Sequence, residues 1–134
     1  MVHALADAQA VLADPARASG PALRTFVRIA AEWQLTAAQR QRLLALPRST
    51  YFASVKDPDG ARLSRDTLER ISYVFGIYKA LQILLPRPEA AHAWIRNPNA
   101  APAFNGYAPL DVMLGGNVAD LYCVRRYLDG ERGW

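Results

Sequence analysis

Apolar residues at Leu68, Ile71, Val74, Phe75, Tyr78, Leu81 and Leu85 recur in steps of three and four. Such a row lies along one side of an α-helix and cannot alternate across a strand. At 3.6 residues per turn it covers about five turns, so the helix it predicts is long and must be covered by other elements along its length. Ser64 stands where an N-cap belongs, and Asp66 places a negative charge in the first turn, favourable to the helix dipole. Pro86 and Pro88 end the segment, because proline cannot continue the hydrogen-bond ladder. Gly76 costs roughly 1 kcal/mol against alanine inside a helix and allows close packing in return. A chain of 134 residues built around this feature is expected to be all-α.

The flanking segments agree. Ala4 to Ala13 is weakly helical and Asp14-Pro15 is expected to end it. Pro21 suits a first helical position, and Leu23, Phe26, Val27 and Ala30 follow at helical spacing. Thr36-Ala-Ala-Gln39 has the spacing of a capping box, which predicts a helix to about Leu46. Pro47 marks a turn, and Ser49 is read as the cap of a short third helix through Thr50, Tyr51, Phe52 and Val55. Leu43, Leu44, Leu46 and Phe52 are assigned to the core. Asp57-Pro58-Asp59-Gly60 is a loop. After Pro88 a short helix is expected from Glu89 to Arg96, then an irregular loop over Asn97 to Ala108 that caps the core. Pro109 opens another short helix, stopped by Gly115-Gly116. Asn117 caps the last helix, carrying Val118, Leu121, Val124 and Leu128, and Gly130 is expected to end it.

Several functions are excluded at this level. Apolar types make up 51% of the chain, enough for a real core. A single cysteine, Cys123, forms neither an internal disulfide nor a cysteine zinc site; beside Val124 it reads as a small core residue. No apolar run approaches the roughly 20 residues of a membrane span, and no basic region precedes an apolar run at the N-terminus. A cytoplasmic protein is expected, with no membrane partner. His3 and His92 have no ligand spacing, and no HExxH, GxSxG, GxGxxG or GxxxxGK[ST] occurs. Asp66 and Glu69 lie among Arg65 and Arg70, which reads as a solvated ion-pair face. The chain is therefore expected to be no enzyme and to need no cofactor or metal.

Charge carries more information. The formal net charge is +4, and Arg40, Arg42, Arg48 and Lys56, with no acid between Trp33 and Lys56, supply the whole excess. A local basic patch attracts polyanions. The three helices from Pro21 to Val55 have the layout of a helix-turn-helix, in which the start of the third enters a major groove. Arg48, Ser49, Thr50 and Tyr51 would then meet base edges or phosphates, with Lys56 near the backbone. By spacing alone, a plain three-helix packing unit fits equally well. At the other end, Trp134 lies beyond the last helix beside Arg132 and Glu131, residue types that dominate interface hot spots in the case of Trp and Arg.

A series of motifs then resembles one family. Leu63-Ser-Arg-Asp-Thr-Leu-Glu-Arg-Ile-Ser, Gly76-Ile-Tyr-Lys-Ala-Leu, Trp94-Ile-Arg-Asn-Pro-Asn99, Phe104-Asn-Gly, Ala108-Pro-Leu-Asp and Leu121-Tyr-Cys-Val-Arg-Arg-Tyr-Leu-Asp129 are similar in order and spacing to the Xre/MbcA/ParS antitoxins. The resemblance implies an N-terminal arm over 1–20, an Xre-like helix-turn-helix over 21–62 and a helical toxin-binding domain over 63–134. It implies a RES-domain toxin as partner, one that degrades NAD or transfers its ADP-ribose. It also implies a homodimer, and operator DNA as a second partner. Arg125, Arg126, Tyr127, Asp129, Glu131, Arg132 and Trp134 become the expected toxin-facing end. The family's turn usually has a glycine after its paired leucines; here the run is Leu44-Ala45-Leu46-Pro47. The alternative reading is a helix-turn-helix regulator with no toxin partner.

Overall fold

The computed structural model describes residues 15–133. Among them are seven α-helices, one 3-10 turn and no strand. The helices are α1 (Pro15–Glu32), α2 (Ala37–Leu44), α3 (Arg48–Lys56), α4 (Arg65–Leu84), α5 (Pro88–Arg96), α6 (Pro109–Met113) and α7 (Val118–Glu131), with the 3-10 turn at Pro58–Gly60 between α3 and α4. They form two compact units, the first ending at Phe75 and the second beginning at Gly76. The helix expected over Ala4 to Ala13 lies outside the described residues. No helix among those described is long and apolar enough to cross a membrane.

In the first unit α1 starts at Pro15, and Pro21 lies inside it rather than opening it. Pro21 and Arg17 are both exposed, so the interruption falls on the solvent side of α1. The turn containing Pro21 is also held from across the chain, because the buried Ser19 hydroxyl accepts from the Leu63 backbone N–H at 3.0 Å. Leu23, Phe26, Ile29, Ala30 and Trp33 supply the buried side of α1. The helix closes with Leu35 N–H bonded to the Ala30 carbonyl at 2.9 Å and Gln34 N–H to Ala31 at 3.1 Å. That pair of bonds is a Schellman motif, with Gln34 in the left-handed position at φ 55°.

The capping box is formed: Gln39 N–H reaches Thr36 Oγ1 at 3.1 Å, and Thr36 N–H reaches Gln39 Oε1 at 2.9 Å. Helix α2 stops at Leu44, short of the expected Leu46. Ala45 takes φ 55° and ψ 43°, and Leu46 N–H turns back to the Gln41 carbonyl at 3.0 Å. Helix α3 then starts at Arg48 behind Pro47, with no side-chain cap, so Ser49 sits in its first turn instead of capping it. Two neighbours exchange their expected places here. Tyr51 is 2% exposed, whereas Phe52, assigned to the core, is 43% exposed. Adjacent helical residues point about 100° apart, so only one of the two rings can enter the core. Tyr51 does so at the cost of a buried hydroxyl that has no hydrogen-bond partner.

Helix α4 is capped as expected, with Ser64 Oγ accepting from Thr67 N–H at 3.1 Å. Thr67, itself buried, donates its hydroxyl to the Leu44 carbonyl at 3.1 Å and so ties α4 to the end of α2. The buried row on α4 is Leu68, Ile71, Val74, Ile77, Ala80 and Leu81, while Phe75, Tyr78 and Leu85 are half-buried. Steps of three fall short of a full turn, so the row drifts round the helix, and Ile77 and Ala80 take the expected places of Phe75 and Tyr78. The ion-pair face also differs from the solvated one expected: Asp66 is exposed, but Arg70 is buried and donates through Nε at 2.8 Å.

In the second unit the loop between α5 and α6 is closed by its own backbone. Asn99 N–H bonds the Tyr107 carbonyl at 3.1 Å, and Gly106 N–H bonds Asn99 at 2.8 Å. Asn105 and Gly106 supply the positive φ angles, and Phe104 at 1% exposure is the anchor that caps the core. At the start of α7, Asp120 accepts from Asn117 N–H at 3.1 Å. Gly130 does not end α7, which continues to Glu131; the left-handed turn falls at Gly133, φ 83°. Gly130 has open space around its Cα and satisfies the helical ladder like any other residue. Cys123 is exposed rather than core, since Val124 beside it takes the inward position.

Candidate functional site

Two regions gather the candidate residues, one in each unit. In the first, Pro47 directs α3 away from the turn, and burial of Tyr51 fixes which side of the helix faces inward. Arg48, Ser49, Thr50, Phe52, Ala53 and Lys56 are all exposed. Of the residues expected to meet a polyanion, the structure thus leaves Arg48, Ser49, Thr50 and Lys56 on the surface and removes Tyr51 to the core. The Arg48 guanidinium lies over the Phe52 ring, 5.0 Å from its centroid. Ser49, Thr50 and Ala53 also border a shallow depression shared with Gly60, Ala61 and Arg62. Arg62 is held there by donating to the Ala61 carbonyl at 3.0 Å. Neither Phe52 nor Arg62 was among the sequence candidates. Phe52 was taken for core, and the charge of Arg62 is offset in the sequence by nearby Asp57 and Asp59.

In the second unit α7 carries the other set, and most of it is engaged internally. Tyr127 stacks on Trp94 with centroids 6.3 Å apart at 23°, and Phe104 meets it edge-on at 4.9 Å. Trp94 and Phe104 complete the cluster at 5.6 Å and 87°. Arg125 donates through Nε to both carboxylate oxygens of Asp129, at 3.1 and 3.3 Å. Its guanidinium occupies the space that a side chain at Gly76 would fill. Here the helix-weakening glycine acquires a function: it lets α7 lay an arginine directly on the backbone of α4. Arg132, its side chain 5% exposed, approaches the same Asp129 carboxylate at 3.9 Å.

What remains outward on α7 is Arg126 and Glu131, with Tyr122 beside them in the chain. Arg126 donates to the Tyr122 hydroxyl at 3.1 Å, one turn back along an exposed face. Arg125 and Arg126 therefore diverge as adjacent helical positions must, the first inward and the second outward. Trp134 lies outside the described residues. Exposed aromatic surface is added by Tyr107 at 62% and Tyr122 at 43%. No group of three or more His, Cys, Asp or Glu side chains that could hold a metal ion occurs among the described residues.

Comparison with known proteins divides the chain similarly. Residues 12–76 match the model of the antitoxin Xre-like helix-turn-helix domain, a span that contains α1, α2 and α3. Residues 80–133 match the antitoxin Xre/MbcA/ParS C-terminal toxin-binding domain. The chain is also 43% identical, over 132 residues, to the uncharacterized protein y4oB of Sinorhizobium fredii (strain NBRC 101917 / NGR234), an alignment covering 91% of this chain and 99% of that one.

Proposed function

This chain belongs to the Xre/MbcA/ParS antitoxin family, and from that premise we propose that it neutralises a RES-domain, NAD-using toxin by occluding its active site. In this reading it is the protein antitoxin of a type II system, acts in the cytoplasm as a homodimer, and performs no catalytic step. Its second role is to bind the operator of its own operon through α3. The observation that carries the reading is the toxin-binding domain over residues 80–133, which ends on α7 and the residues just after it.

The proposed mechanism uses α7 as a rigid arm. A site that takes NAD must accept a flat aromatic ring and anionic phosphates. Trp134 offers an indole for the first, and exposed Glu131 a carboxylate for the second. Arg126 is placed to meet acidic groups of the toxin. Arg125, Tyr127, Asp129 and Arg132 act behind them by holding α7 in place. An arm already ordered loses less conformational entropy on docking, and that difference appears as affinity.

The test is co-purification with the product of the adjacent open reading frame, followed by an assay of NAD consumption. Removing Gly133 and Trp134 leaves the Arg125–Asp129–Arg132 contacts in place. The shortened protein should keep its circular dichroism spectrum and lose most of its protection. Full protection by the folded, shortened chain would sink occlusion by the tail.

A further inference from the structure

Helix α3 carries a large aromatic ring on its outside, where a solvated helix face has no use for one. Phe52 is 43% exposed, and its ring is bracketed by two neighbours. Tyr51, itself buried, meets it edge-on at 5.4 Å and 73°. Arg48, one turn earlier, covers its face at 5.0 Å. The ring therefore has little rotational freedom, and it draws the guanidinium toward the same patch. Lys56 is one turn further along, and the segment from Trp33 to Lys56 contains no acid. A partner for this face must combine negative charge with something apolar within reach of Phe52.

The major groove of DNA offers that combination. Guanine presents O6 and N7 to the fork of an arginine, and thymine presents a 5-methyl group suited to an apolar side chain. Resting on the proposed operator-binding role of α3, we propose that Arg48 and Phe52 read one base-pair step as a unit. Arg48 takes a guanine edge, and Phe52 covers the methyl group of thymine in the same or the adjoining pair. The stacking contact explains why the two act together. Neighbouring base pairs are about 3.4 Å apart along the duplex, so two side chains in mutual contact address neighbouring pairs and not distant ones. Arginine also carries considerable rotamer entropy, part of which the ring removes before DNA arrives.

The experiment selects duplexes from a random library with the full-length protein, alone and with its co-purified toxin. Each thymine of the selected sequence is then replaced by deoxyuridine, which deletes the methyl group and leaves every hydrogen-bonding group intact. One position should weaken binding about fourfold, the order expected for withdrawing one methyl-sized group from an apolar contact. Phe52→Ala should bind both duplexes equally and retain its circular dichroism spectrum, because the ring is not among the buried core residues. Phe52→Leu should restore part of the thymine preference, and Arg48→Lys should relax the choice at the neighbouring guanine. Selection that enriches no sequence overturns the operator reading and this inference with it. Enrichment with no thymine sensitivity, or sensitivity that survives Phe52→Ala, overturns this inference alone. So does a Phe52→Ala protein that loses self-association while keeping the thymine preference, which would assign the ring to a contact between copies.

Discussion

On α3, in the first unit, Arg48, Ser49, Thr50 and Lys56 are exposed while Tyr51 is buried, and Arg48 lies over the Phe52 ring. On α7 and its C-cap, in the second, four of the six described candidates are committed inside the fold: Arg125, Tyr127, Asp129 and Arg132. The difference teaches how each helix is held. Helix α3 is short and has no side-chain cap; one buried ring and the core around it are enough to orient it. Helix α7 is fastened by Tyr127 against Trp94 and Phe104 and by Arg125 over Gly76. Of that candidate set, Arg126 and Glu131 are left exposed.

The strongest test of this contrast is to remove what fastens the second unit. Phe104→Ala deletes a fully buried ring from the three-aromatic cluster and should destabilise by about 3–5 kcal/mol, read by urea denaturation. In the first unit Ile71→Ala should cost about 2–5 kcal/mol, and the half-buried Phe75→Ala should cost less than an equally large buried ring would. A negligible loss in Ile71→Ala would mean the buried row of α4 is wrong.

The α7 arginines sharpen the comparison at intermediate size. Arg125→Ala breaks a charge pair about three-quarters buried and should lower stability by about 1–2 kcal/mol. Arg126→Ala should leave the melting temperature unchanged and weaken toxin binding. The reverse pattern would exchange their roles. Gly76→Ala should act like Arg125→Ala, because the new methyl group displaces that guanidinium.

Smaller effects are expected around α3, and they are gains. Ala45 adopts the left-handed conformation that costs an L-residue roughly 1 kcal/mol, so Ala45→Gly should stabilise by up to about that amount. Tyr51→Phe removes the partnerless hydroxyl and should be neutral or stabilising by less than about 1 kcal/mol. A marked loss in Tyr51→Phe would reveal a buried partner for that oxygen.

Much of the chain was legible without coordinates. Thr36 with Gln39, Ser64, Pro109 and the inward positions Leu68, Ile71, Val74 and Leu81 of α4 each act through local hydrogen bonding or side-chain periodicity, which sequence expresses directly. The misplacements share a different cause. Helix α2 ends early on a left-handed alanine, a residue type that does not announce such a turn as glycine does. Pro21 reads as a start, yet a contact from Leu63 holds the helix around it.

The chemistry of both sites divides along the same line. Sequence alone determined the all-helical class, the basic segment that contains α3 and the motif series of the toxin-binding half, because each resides in residue type and spacing. Only the tertiary structure decided that Tyr51 enters the core and Phe52 stays out, and that Arg125 rests on Gly76. Those outcomes depend on which surfaces meet between residues far apart in the chain. One turn of helix offers neighbouring side chains about 100° apart, and the choice among them belongs to whatever packs against it.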